Sequence, residues 1–390
     1  MRSTLAGIPT ALWALAILPA AVSAATWSMT DYYSPQSFLT DEWNYWDKAD
    51  PNGGLVTYQN MEDAVAMNLS YINDNNEFVM RVDTTATQLE GRPSVRIFSN
   101  KNFTDGLYIL NATHTPTGCS VWPAWWTVTS DIDNWPNGGE IDIMENVNDQ
   151  YTANLGVVHT NATCNVASAD TTMTGTLQYT NCTADTGCRV LMNGTNAVGE
   201  TATGFNKAGG GIYAMERTLG DTGKGIRMWY FSNDDVPEGL SDNATSVDTD
   251  AWPTPAADFP VTDCRSQFGA HQIVFTTTLC GTWANSVYGD TSCAATYGSC
   301  SSQVAYNGSS YEEAYWAVNH IKVFASGGGT EAASPAENAA SSSSDGSATS
   351  STSTASSTSS TSGASRSAAL SSVVLAFSMV GGLAAWSFAA

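Results

Sequence analysis

The sequence predicts an all-β sandwich or barrel. Three observations carry this. Short alternating or fully apolar runs recur, at Glu77–Val82, Ser94–Phe98, Gly106–Leu110, Ile141–Val147, Gly225–Phe231 and His271–Thr277. Gly, Asn, Asp and Pro separate them, and long apolar stripes of helical period are absent. The same region is rich in Gly, Thr, Trp, Tyr and Val and poor in Lys, Leu and Glu. Many short strands punctuated by turn residues must bury one face against a second sheet or close on themselves.

The ends read differently. Arg2, an apolar run from Leu5 to Val22 and the small residues Ser23, Ala24 and Ala25 match a secretory signal, so residues 1–24 are expected to be removed after Ala24. The run is short for a bilayer span and is interrupted by Pro9 and Thr10. A globular unit is expected over residues 25–326, long enough for one large core. Residues 327–367 form a stalk, almost all Ser, Thr, Ala and Gly from about Ser341, which cannot bury enough apolar surface to offset its conformational entropy. An apolar tail follows at residues 368–390. Small residues at Ser362, Gly363 and Ala364, a short spacer and that tail match a glycolipid-attachment signal. The alternative, a retained membrane helix, is disfavoured because no Lys or Arg follows the tail. The expected location is therefore extracellular, on the cell surface or wall, held by a lipid anchor.

Eight cysteines lie within the globular unit, at positions 119, 164, 182, 188, 264, 280, 293 and 300. An even count in a secreted chain implies disulfides, among about a hundred possible pairings. No Cys-x-x-Cys pair occurs and the four histidines are scattered, so neither a metal nor any other cofactor is expected. Asn-x-Ser/Thr acceptors stand at Asn68, Asn102, Asn111, Asn161, Asn181, Asn193, Asn243 and Asn307. The net charge is −23 with only 14 Lys plus Arg. Nucleic acid would be repelled, whereas a neutral polysaccharide would not. No phosphate-binding glycine loop and no basic aromatic patch is present. A monomer is expected.

The chemistry resides in Trp135-Pro-Asn-Gly-Gly-Glu140-Ile-Asp142-Ile-Met-Glu145. In a regular strand Glu140 and Asp142 share a face, and Glu145, five positions on, points away. One β-bulge between Asp142 and Glu145 brings all three to one side. Crowded acids repel, so at least one must keep a proton. A structural sheet gains nothing from this, and a calcium loop would want turns between its oxygens rather than Ile, Ile and Met. A glycosidase needs it: one carboxylate attacks, and a carboxylic acid about 5–5.5 Å away protonates the leaving oxygen.

The run Gly139-Glu140-Ile-Asp142-Ile-Met-Glu145 resembles the Glu-x-Asp-x-x-Glu signature of glycoside hydrolase family 16, in its laminarinase-like branch. Similar flanks are Gly118-Cys119-Ser-Val-Trp122-Pro-Ala-Trp125-Trp126, Ser94-Val-Arg96-Ile, Gly106-Leu-Tyr108-Ile, Val158-His159-Thr160, Gly211-Ile-Tyr213-Ala and Ile273 through Trp283. The resemblance covers about Phe38 to Phe324. It implies a β-jelly-roll of two curved antiparallel sheets, concanavalin A-like, with a cleft across one face. It also implies Glu140 as nucleophile, Glu145 as acid/base, and Asp142 as an auxiliary acid hydrogen-bonded to the nucleophile. His159, Trp122, Trp126, Trp135, Trp283 and Arg96 would contact a β-glucan. The activity implied is retaining endo-hydrolysis of β-1,3 or mixed β-1,3/1,4 glucan. Two positions depart from the family's pattern. Arg217, where Trp is usual, would alter the cleft floor, and Thr282, where an acid is common, would alter the charge near Trp283. The rivals are a wall transglycosylase of the same fold and a non-catalytic glucan-binding surface protein. The crosslinking enzymes carry the shorter Glu-x-Asp-x-Glu spacing, and the non-catalytic relatives have lost acids that stand here.

Overall fold

The computed structural model describes residues 26–148, 153–183, 186–192, 204–237, 240 and 243–326. The chain divides after Ser334 into two units, and every described residue belongs to the first. The expected signal, stalk and tail, and the acceptor Asn193, lie outside the described residues.

All six apolar runs form strands: Gly106–His114, Gly225–Ser232 and His271–Leu279 extend beyond the run, and Phe78–Arg81, Arg96–Ser99 and Glu140–Glu145 are shorter than it. They assemble into two large, wholly antiparallel sheets. The nine-stranded sheet runs Ser246–Asp248, Thr26–Tyr33, Tyr315–Ser326, Gly106–His114, Gly211–Thr218, Gly225–Ser232 and Ala257–Phe259, with Phe78–Arg81 and Ser70–Ile72 branching from Tyr315–Ser326. The eight-stranded sheet runs Thr176–Tyr179, Cys188–Met192, Asn154–His159, Glu140–Glu145, Val121–Thr129, His271–Leu279, Arg96–Ser99 and Trp43–Tyr45. This is the sandwich the sequence predicts.

Period-two alternation divides each strand of the eight-stranded sheet between two destinations. Ile97, Trp125, Ile141, Val158, Val190, Ile273 and Phe275 face the other sheet and meet Tyr108, Leu110, Tyr213, Met215, Trp316 and Ile321 in one core. Trp125, Trp316 and Phe275 are almost wholly buried, and Phe275 packs edge-on to Trp316 at 5.1 Å. Each such side chain contributes roughly 1.5–3 kcal/mol by leaving water. A second cluster, built on Trp27, Trp229, Phe231 and Trp252, covers the far face of the nine-stranded sheet. The remaining face of the eight-stranded sheet is therefore the one free to bind.

The short helices Gly281–Tyr288, Ser292–Tyr297 and Cys300–Tyr306, absent from the all-β expectation, cap one end of the sandwich around Tyr288, Val304 and Tyr311. Helices of 6–8 residues are too short to show a period. Their capping residues were readable: Thr291 accepts from Cys293 N, and Ser299 from Ser302 N. The eight cysteines form four disulfides, Cys119–Cys293, Cys164–Cys264, Cys182–Cys188 and Cys280–Cys300. Two of them tie this helical cap to the sheet.

Candidate active site

Glu140 enters its strand from Gly138 and Gly139, at φ +83° and +80°. Only glycine adopts such angles without penalty. A Cβ at Gly139 would also lie 2.5 Å from the Phe268 ring, so the turn fits closely against the sandwich. His271 fixes it from below. Burial, with Arg217 nearby, lowers its pKa to about 3, so the ring is neutral. Nε2 donates to Gly138 O at 2.7 Å, leaving Nδ1 to accept from Thr127 Oγ1 at 3.0 Å.

The bulge that the acid spacing demands is present. Against Asn154–His159 the register shifts between Asp142 and Glu145. Against Val121–Thr129 it shifts between Asp142 and Met144. Ile143 and Met144 are consecutive yet both lie in the core, which is the local signature of the extra residue. Glu140, Asp142 and Glu145 consequently share the free face. Asn154 holds the distortion in place. Its Nδ2 donates to Ile143 O at 2.7 Å and its Oδ1 accepts from Glu145 N at 2.9 Å, with the side chain fully buried. One carboxamide thus satisfies both a carbonyl and an amide that the bulge would leave unpaired.

The three acids line a cleft of about 650 Å³. Trp135, Trp283, Trp122, Trp126, His159 and Arg96 line it as well, so all nine site residues expected from the sequence converge. Each glutamate receives an indole N–H. Trp135 Nε1 donates to Glu140 Oε2 at 2.8 Å, and Trp122 Nε1 donates to Glu145 Oε1 at 2.7 Å. Trp283 stands edge-on to Trp122 at 5.4 Å. Trp126 donates to Thr276 Oγ1 and supports the Arg96 guanidinium 5.0 Å above its ring. Arg96 is buried, lies 3.8 Å from Asp50, and leaves Nε and Nη1 without hydrogen bonds.

Two expectations change. No hydrogen bond joins Asp142 to Glu140. Glu140 Oε2 is taken by Trp135 and Oε1 faces His159 Nε2 at 4.0 Å, so Asp142 Oδ2 instead lies 3.4 Å from His159 Nε2. Arg217 is not part of the cleft floor. It belongs to Gly211–Thr218 of the other sheet, where it donates to Gly269 O at 2.6 Å and pairs with Asp105 at 3.5 Å. It bears on the site from behind, through Phe268 against Gly139, through Gly269 and through His271 beneath Gly138. Thr282 does line the cleft, next to Trp283, and adds no negative charge there.

Burial pushes all three carboxyls up, Glu140, Asp142 and Glu145 each to about 8. For Glu140 and Glu145, Asp142 adds repulsion, while His159 and the indole donors oppose the rise. The acids titrate as one coupled set. Glu140, the least buried of the three, is the natural seat of the first negative charge. Glu140, Asp142 and His159 also bring ligand atoms within 4.8 Å of one another, the one group among the described residues close enough to share a cation.

Carboxyls raised by folding retain protons that the unfolded chain has lost. Their contribution to stability is complete below about pH 4 and disappears as pH rises through about 8. The thermal midpoint is therefore expected to fall between pH 5 and pH 8. Asp142→Asn should flatten that slope, by at most about 1.4 kcal/mol per pH unit, the value of one proton. Parallel melting curves for wild type and variant across that range would contradict a raised Asp142.

Two packed antiparallel sheets, with paired glutamates and tryptophans across one face, define a glycoside-hydrolase type of β-sandwich. The chain belongs to glycoside hydrolase family 16: the family described as XgeA-like, catalytic GH16 domain, matches residues 43–324. A probable endo-1,3(4)-beta-glucanase of Neosartorya fischeri is 36% identical over 324 residues, covering 80% of this chain and 47% of the relative. The endo-1,3(4)-beta-glucanase xgeA of Emericella nidulans is 33% identical over 322 residues, covering 79% and 49%. The chain spans about half the length of these curated relatives. Laminarinase 16A from Phanerochaete chrysosporium, solved with 6-O-glucosyl-laminaritriose in donor and acceptor sites, is 37% identical at a TM-score of 0.71, covering 77% of this chain and all of its own. A solved elongating family 16 beta-1,3-glucosyltransferase is 33% identical at 0.67, with the same coverage.

Proposed function

We propose that the protein is a retaining endo-glycosidase that hydrolyses internal β-1,3 and mixed β-1,3/1,4 glucosidic bonds. The observation that carries this is the bulge, which turns Glu145 to the face of Glu140 within one tryptophan-lined cleft. Glu140 attacks the anomeric carbon while Glu145 protonates the departing oxygen. Esterification then removes the charge at position 140. Glu145, relieved of a repelling neighbour, accepts a proton from the incoming water. The cleft takes side chains from six adjacent strands, Cys188–Met192 to Arg96–Ser99. Neighbouring strands lie about 4.8 Å apart, so it is about 24 Å long and holds several glucosyl units, as internal cleavage requires. The relatives named for glucanase activity and the glucan-bound laminarinase support the substrate class.

Four disulfides and the acceptor asparagines support secretion, and the apolar tail supports a lipid-anchored enzyme at the cell surface or wall, acting on structural or foreign glucan. A second reading, transfer of the glucosyl intermediate to another sugar, is favoured by the solved glucosyltransferase. The full chain should be incubated with laminarin and with barley mixed-linkage glucan. Short oligomers whose first-formed anomer is β by NMR are expected. Lengthened products would move the reading to transfer, and an α first product would reject the double displacement.

A further inference from the structure

Arg189 was not singled out by the acid motif, yet it lines the cleft. Its position follows from register. Arg189 pairs with Val157, Val157 with Asp142, and Asp142 with Trp126, so one transverse row on the free face carries the cation, the auxiliary acid and a floor tryptophan. The Cys182–Cys188 disulfide anchors the chain immediately before it. From the strand next to the edge, the side chain touches the edge strand on one side and Trp283 on the other. Nε donates to Gln178 at 2.9 Å, and the guanidinium lies 4.5 Å from the Tyr179 ring and 5.9 Å from that of Trp283. Trp283 is edge-on to Trp122, whose indole holds Glu145. Arg189 and Trp122 stand on strands three apart, about 14 Å of sheet, so these contacts cross the cleft above the acid.

We infer that Arg189 is a specificity-determining residue: with Tyr179 and Trp283 it straps the cleft beside Glu145 and grips one glucosyl unit of the chain. The guanidinium presents several donors in a rigid plane to sugar hydroxyls, and the indole offers a flat face to the ring. Tyr179, 45% exposed, supports the plane from the outside. The same cation bears on Glu145. The charged groups facing that carboxyl are Asp142 and Glu140, which disfavour its ionised form, and His159 and Arg189, which favour it.

The inference rests on the glucanase reading, and its test separates the two. In the full chain carrying Glu140→Gln, which cannot turn over, laminari-oligosaccharide affinity is measured by calorimetry with and without Arg189→Gln. A loss of about tenfold is expected, the size of one charged hydrogen bond. Tyr179→Ala, which removes the outer support, should lose part of it. In the active enzyme Arg189→Gln should raise KM by a similar factor and shift the alkaline limb of kcat to higher pH. Arg189→Lys should restore the limb without restoring KM, a split that a purely structural role would not produce. Affinity, KM and limb all within twofold of wild type would overturn the inference. Failure of the wild type to cleave any glucan would reject hydrolysis, while the calorimetric arm would still decide Arg189.

Discussion

Glu140→Gln is expected to lower turnover on laminarin by ~10⁴-fold or more, with glucan affinity unchanged within a few-fold. Losses of that order follow removal of a nucleophile from a residue set that acts as a unit. The amide can still accept the Trp135 indole N–H, so the side chain should keep its place. It cannot form a glycosyl ester. The substitution also removes a repelling charge from Asp142 and Glu145, so the variant should be no less stable than the wild type near neutral pH. Steady-state kinetics and calorimetry on one preparation decide the matter. Turnover above a few per cent of wild type would take Glu140 out of the nucleophile's role.

Glu145→Gln is expected to cost about 10²–10⁴-fold in kcat, the usual share of a general acid and base. Its signature is chemical. An aryl β-glucoside with a good leaving group needs no protonation, so formation of the ester should largely recover. Breakdown should then be slow, because no base activates water. Azide needs no base, and its addition should accelerate turnover and yield the β-glycosyl azide. The alkaline limb of the pH profile, set by the last proton on the acid set near pH 8, should disappear. A variant indifferent to azide, with an unshifted profile, would assign the acid/base role elsewhere.

The sandwich was legible because its strands alternate cleanly. Trp125 and Trp126 are adjacent, yet one fills the core and the other the cleft, and only the pleat separates them. The bulge was legible as a geometric necessity of three acids at spacings of two and three. Its support was not. Asn154 lies nine positions beyond Glu145, at the start of the strand that ends in His159, and nothing local marks its carboxamide as a backbone partner. The indole donors of Trp122 and Trp135 were anticipated as sugar platforms rather than as hydrogen-bond partners of the acids. Which way a Trp presents its N–H depends on tertiary packing. Arg217 misled for the opposite reason. Family comparison placed it at the site, whereas strand register puts it in the other sheet, pairing with Asp105.

The carboxamide at position 154 has a consequence for comparing genomes. Surveys that score only the three acids treat competence as a property of one short motif. In this fold the aim of the last acid is stored elsewhere in the chain, in a residue that touches no sugar. A homologue can therefore preserve every catalytic letter and still be a pseudoenzyme through drift at this one amide. Position 154 belongs beside the motif as a fourth character whenever active and silent members are sorted.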